Sequence, residues 1–154
     1  AEFEAVALAR DDLDLVDMGG VGGTMAGSAL SMAAVRATLE HVLTDAAFEQ
    51  MIVLAGTYTD GIRTLIERYR LPWTISQLGA RAEYRFSPAP PRNGTESAAA
   101  HDADLDDYLH VALANRGILL TPFHNMALMS PATTPEQVAR HLGAFEDVVA
   151  RLVP

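Results

Sequence analysis

The chain has 154 residues, enough for one domain with a real hydrophobic core. Its 11 Lys+Arg against 20 Asp+Glu leave a formal charge of −9, which argues against nucleic-acid binding and against an anionic membrane surface, since both need a basic face. The absence of cysteine excludes disulfides, zinc–thiolate sites, iron–sulfur clusters and cysteine nucleophiles, and 49% hydrophobic residues is too many for a disordered chain.

All the basic residues are Arg, so no lysine of this chain can form a Schiff base. No apolar run approaches the roughly 20 residues that span a bilayer. The acidic start, Ala1-Glu2-Phe3-Glu4, is not a signal peptide. A first residue other than Met points to a processed start or to a piece of a longer protein, and the expected location is the cytoplasm.

Residues 1–21 read as a short strand or an extended arm. Five glycines follow between Gly19 and Gly27. Flexible glycines before a helix let backbone N–H groups turn toward an anion, and the Thr24 hydroxyl adds a donor. Taken alone, the stretch reads first as a flexible hinge leading into a buried helix, and only second as an anion loop. Ser28 is the expected N-cap of that helix. Leu30, Ala33, Ala34, Ala37 and His41 fall on one side, with Met32, Val35, Leu39 and Val42 on the next. Such breadth predicts burial on several sides.

Thr44-Asp45 opens a second helix, with Phe48, Ile52, Ala55, Thr59, Ile62, Ile66 and Tyr69 at 3/4 spacing, ending before Pro72. Arg63 and Glu67 are spaced to pair. Trp73–Ser76 and Ala80–Phe86 are strand candidates. In the second, Ala82, Tyr84 and Phe86 share one face, and Arg81, Glu83 and Arg85 the other. Residues 87–103 form a Pro-rich loop. A third helix begins near Asp104-Leu105, turns Leu105, Tyr108, Leu109, Ala112 and Leu113 inward, and closes at Gly117. Ile118–Leu120 and Ala127–Ser130 are short strands around a Pro122–Asn125 turn. Thr134-Pro135-Glu136-Gln137 is a capping box with Pro at N1, and Val138, Leu142, Phe145, Val149 and Leu152 face inward after it. Interleaved short strands and helices predict an α+β fold, a small antiparallel or mixed sheet with helices on one face.

Several polar groups invite chemistry. The Arg81–Glu83–Arg85 face suits bidentate carboxylate recognition, or is a solvated strand face with Glu83 neutralising the arginines. His124 and Asn125 lie in a turn. His101, Asp102 and Asp104 are local and lack a fourth ligand, so helix capping, and not a metal, is expected of the aspartates. His41, His110 and His141 read as structural. Ser28, Ser31 and Ser130 lack a nucleophile-elbow context.

Gly22-Gly23-Thr24-Met25-Ala26-Gly27-Ser28-Ala29-Leu30-Ser31-Met32-Ala33-Ala34, followed by Ala37-Thr38-Leu39-Glu40, resembles the G-G-T-x-x-G-N-P-L-x-x-A-A…A-T-L-E stretch of class III aminotransferases, glutamate-1-semialdehyde aminomutases among them. Trp73, the strand after Gly79, Asn115-Arg116-Gly117-Ile118-Leu119-Leu120-Thr121-Pro122 and Ala127-Leu128-Met129-Ser130-Pro131-Ala132-Thr133-Thr134 agree in order. The resemblance runs from about Gly19 to the C-terminus.

It implies the end of the large domain of a fold-type-I pyridoxal 5'-phosphate (PLP) enzyme (residues 1–27, arm and phosphate loop) and its C-terminal small domain with the connecting helix (residues 28–154). By the same resemblance Thr24, with Gly22 and Gly23, binds the PLP phosphate across a dimer interface. Ser28-Ala29 replaces the family's Asn-Pro. The resemblance puts Arg81 and Arg85 in the domain that closes over the substrate, and His124 and Asn125 in a turn near it that is one residue shorter than the family's. The family's Schiff-base Lys, pyridine-binding Asp and ring-stacking aromatic lie upstream. The chain alone is therefore expected to be inactive and to need a Lys-bearing segment or second chain, within a homodimer acting on an amino or keto acid. The alternative is a stand-alone, non-catalytic binding module derived from that domain.

Overall fold

The computed structural model describes residues 27–121 and 124–152. The chain divides into two units at the Val42–Leu43 junction.

In the first unit the described element is helix α1 (Ala29–His41). Ser28 caps it as expected, its hydroxyl accepting the Ser31 N–H at 3.2 Å. Arg36 and Glu40 pair along one side at 2.7 Å. The expected burial is not found: no residue of α1 is buried, and Leu30 is 82% exposed. Apolar breadth marks a helix that can be covered on several sides, but the described residues do not supply the cover.

The second unit is the α+β domain. Helix α2 (Asp45–Arg68) starts at Thr44, whose hydroxyl accepts the Ala47 N–H. It buries a stripe from Met51 through Ala55, Tyr58, Thr59 and Ile62 to Ile66, while Phe48 and Ile52 remain more than two-fifths exposed. Its end is made by Arg70, which takes a left-handed φ of +51° and lets the Leu71 N–H reach back to the Ile66 carbonyl at 2.9 Å, before Pro72 forbids continuation. Arg63 pairs with Asp60, and not with Glu67 as the spacing suggested.

Strands β1 (Thr74–Leu78) and β2 (Arg81–Arg85) form a hairpin in register Leu78↔Arg81 and Thr74↔Arg85. Gly79, with φ +58°, opens its tight turn, a conformation that costs an L-residue about 1–2 kcal/mol. Strand β3 (Met126–Leu128) pairs antiparallel with β2, so β2 is central in a three-stranded sheet. The period-2 reading of β2 holds: Ala82 and Tyr84 are buried under the helices. Tyr84 stacks on Trp73 with ring centroids 6.0 Å apart and meets Phe145 edge-on at 5.3 Å.

Helix α3 (Gly94–Ala99) interrupts the stretch read as loop. It rests on local caps rather than apolar periodicity: the Asn93 side chain accepts the Glu96 N–H, and Arg92 pairs with Glu96. Helix α4 (Ala103–Ala114) is capped by Asp102 and buries Leu109 and Leu113. The expected strand at Ile118–Leu120 does not form. Gly117, at φ +74°, closes α4, and the Ile118 N–H bonds back to Leu113, so it is not available to a ladder. Leu119 is left 90% exposed. Helix α5 (Pro135–Val149) carries the full capping box and packs against α2 and α4, burying Val138, Phe145, Val148 and Val149.

Candidate functional site

Alternation along β2 turns Arg81, Glu83 and Arg85 away from the core. Arg81 is exposed and makes no ion pair among the described residues. Arg85 is occupied: its Nη2 lies 3.0 Å from Glu83 Oε1. The same buried oxygen is 3.6 Å from His124 Nδ1, yet neither contact has hydrogen-bond geometry. Glu83 therefore neutralises Arg85 and leaves Arg81 as the guanidinium open to an external carboxylate.

The fold brings the His124 turn to this face because β3 pairs with β2 directly after it. The Tyr84 N–H donates to the Asn125 carbonyl at 3.2 Å, one step before the ladder proper. His124 is about two-fifths exposed, whereas Asn125 is buried. The Asn125 Nδ2 donates to Asp106 Oδ1, while Asn125 Oδ1 is buried without a partner among the described residues. The other Asp106 oxygen sits 2.9 Å from His101 Nδ1. Arg85, Glu83 and His124 thus form one polar group and Asn125, Asp106 and His101 a second, joined by the backbone between His124 and Asn125, while Arg81 lies toward the other end of β2, opposite Leu128.

Asp106 is the residue that sequence reading missed. As a first-turn acid it looks like a helix-dipole group, and nothing in its spacing points to a turn 19 residues downstream. Asp102, as expected, caps α4 through the Leu105 N–H. Among the described residues no group of His, Asp and Glu is arranged to hold a metal. Gly22, Gly23 and Thr24 lie outside the described residues.

A cavity of about 350 Å³ lies elsewhere, between the 117–121 segment, β3 and α5, and is lined by none of Arg81, Arg85, His124 or Asn125. His141 on its wall is structural, as expected. Its ring meets Tyr58 edge-on, with Nε2 3.5 Å from the Tyr58 hydroxyl. Burial pulls the His141 pKa down to about 4 and pushes the Tyr58 phenol well up, so a protonated Tyr58 donates toward a neutral imidazole. No helix among the described residues is long and apolar enough to cross a membrane.

No family model matches the chain. Among relatives, glutamate-1-semialdehyde 2,1-aminomutase 2 of Geobacillus kaustophilus is 32% identical over 131 residues, covering 84% of this chain and 30% of its own length. The Chloroflexus aggregans glutamate-1-semialdehyde 2,1-aminomutase is 32% identical over 84% of this chain and 31% of its own. Among solved structures, a glutamate-1-semialdehyde aminomutase from Pseudomonas aeruginosa PAO1, a lysine-to-alanine variant in complex with PMP, superposes with TM-score 0.82 at 45% identity, over 90% of this chain and 30% of that one. An omega-transaminase from Sphaerobacter thermophilus, 19% identical, shares the fold at TM-score 0.70, over 92% of this chain and 32% of that one. The chain spans about a third of the length of the proteins it matches. In sequence and in fold, the chain corresponds to the C-terminal part of the class III, PLP-dependent aminotransferases and is similar to their glutamate-1-semialdehyde aminomutase group.

Proposed function

We propose that this chain is the substrate-covering, partner-binding portion of a PLP-dependent aminotransferase or aminomutase acting on an amino or keto acid. The observation that carries the reading is the 45% identity to an aminomutase in complex with PMP, combined with an exposed Arg81, unpaired among the described residues, on a strand whose other arginine is already neutralised. PLP, when bound, supplies the electron sink for bond changes at the amino-bearing carbon. The residues of this chain would do the rest. Gly22 and Gly23 would bring backbone N–H groups, and Thr24 a hydroxyl, to the cofactor phosphate. Arg81 would hold the substrate carboxylate, and the His124 turn would border the Arg85 end of the same strand.

The chain has no lysine, so a side-chain amine to hold the cofactor aldehyde must come from another segment or another chain. A second copy would take the phosphate loop across the dimer interface and cover the apolar sides of α1. In this reading the chain by itself is inactive.

Intact and native mass spectrometry of the protein from its own source tests the reading. A longer chain, or a co-purifying Lys-bearing chain, with amino-group transfer or migration on assay, is the expected result. A lone 154-residue species or its homodimer, without turnover, overturns the catalytic reading and leaves a binding module.

A further inference from the structure

The His124 turn of the candidate face is held by a carboxylate that belongs neither to the turn nor to strand β2. Asp106 projects from the first turn of α4, and its two oxygens have separate partners: the Asn125 carboxamide on one side and His101 Nδ1 on the other. Asn125 is 4% exposed, and its own Oδ1 is buried with no partner among the described residues. A buried carboxamide with an unsatisfied oxygen gains nothing from that end, so its bond to Asp106 decides how it is held. That bond is charge-assisted, which makes it about twice as strong as a neutral one. Asn125 also receives the Tyr84 N–H on its main-chain oxygen, and its neighbour His124 reaches Glu83. The place of His124 against Glu83 and Arg85 therefore depends on Asn125 being gripped from below.

We propose that Asp106 is a positioning residue of this face: through Asn125 it fixes the His124 turn beside Glu83, so that the Glu83–Arg85 end of β2 keeps one shape beside a substrate. The functional half of this statement rests on the aminotransferase reading, whereas the structural half does not. Asp106 touches neither Arg81 nor the space beside it, and acts only through Asn125 and His124.

NMR on the 154-residue chain tests the tether without turnover. In the wild type we expect a nuclear Overhauser contact between the His124 ring and the Glu83 side chain, and slowed solvent exchange of the Asn125 side-chain amide. Asp106→Leu removes the acceptor, and both signals should be lost while the Trp73 and Phe145 ring resonances stay in place. Asp106→Asn keeps an acceptor oxygen and should restore both. Asn125→Ala offers a second route if Asp106→Leu fails to fold, and should also lose the His124–Glu83 contact. Persistence of that contact in Asp106→Leu or in Asn125→Ala overturns the tether. In the Lys-bearing assembly, Asp106→Leu should raise KM for the carboxylate substrate more than it lowers kcat, with rescue by Asp106→Asn. An unchanged KM there overturns the functional half. Failure of the aminotransferase reading itself is seen separately, as the absence of a Lys-bearing species and of turnover.

Discussion

His141 should make this domain acid-labile by a calculable amount. Its imidazole is held on α5 against the Tyr58 ring, and burial lowers its pKa from 6.5 to about 4. Between those values the unfolded chain binds a proton that the folded chain refuses, so stability falls as pH falls. Above about pH 6.5 both states are neutral and the effect vanishes; below about pH 4 both are charged and it saturates. The window covers about 2.5 pH units, and at about 1.36 kcal/mol per unit the loss saturates at about 3.4 kcal/mol, of which about 3 kcal/mol is reached by pH 4. That is a large share of the roughly 5–15 kcal/mol expected of a domain. Trp73 is the sole tryptophan, is buried among Tyr84, Phe86 and Phe145, and reports unfolding directly. With a urea m-value of about 1–3 kcal/mol/M, the midpoint should drop by about 1–3 M between pH 7 and pH 4. Carboxylates also titrate near the lower end, so the comparison with His141→Phe is essential. That variant leaves the Tyr58 hydroxyl unpaired and is less stable at pH 7, but its loss on acidification should be smaller by about 3 kcal/mol. Equal losses in the two proteins would refute the assignment of a neutral, buried His141.

Thr134→Ala removes the hydroxyl that accepts the Gln137 N–H and breaks the reciprocal box at the start of α5, so it should cost about 1 kcal/mol, read as a lower urea midpoint at unchanged m. An unmoved midpoint would show that the box contributes nothing. Tyr84→Phe deletes a buried hydroxyl that has no partner among the described residues; stability should hold or rise by up to about 1 kcal/mol, and a loss of that size would instead reveal a hidden hydrogen bond, such as one to a bound water. Arg81→Gln should change the stability of the chain by less than about 0.5 kcal/mol, because Arg81 is exposed and unpaired among the described residues. In the Lys-bearing assembly the same variant should raise KM for the carboxylate substrate, and an unaffected KM would remove Arg81 from the substrate site.

Local rules carried most of the secondary structure. The caps at Ser28, Thr44 and Thr134, the closure of α4 at Gly117, and the two faces of β2 all depend on a few neighbouring residues, and all stand in the structure. The failures share a cause: at each, a hydrogen bond or a burying surface was needed that spacing does not record. Ile118–Leu120 is apolar enough for a strand, but its first N–H is taken by the end of α4. Gly94–Ala99 has no apolar periodicity, yet capping by Asn93 and the Arg92–Glu96 pair are enough for a short helix. Helix α1 is apolar on adjoining sides and stays open, because periodicity says which side can be buried and not what buries it.

The candidate site divides in the same way. That Arg81 and Arg85 share a face follows from the two-residue period of a strand, and the absence of a lysine amine is a matter of composition. That Glu83 can neutralise an arginine is a local matter within β2, and the structure shows that it turns to Arg85; that His124 lies beside the same oxygen depends on β3 pairing with β2 across some 40 residues of sequence. The grip of Asp106 on Asn125 is likewise a product of packing α4 beside that turn. Sequence alone settled the periodic and local features, which involve residues within one turn or one strand of each other. Tertiary structure decided that the His124 turn meets Glu83 and that Asp106 grips Asn125, because such contacts depend on distances of a few ångströms between segments that are far apart along the chain.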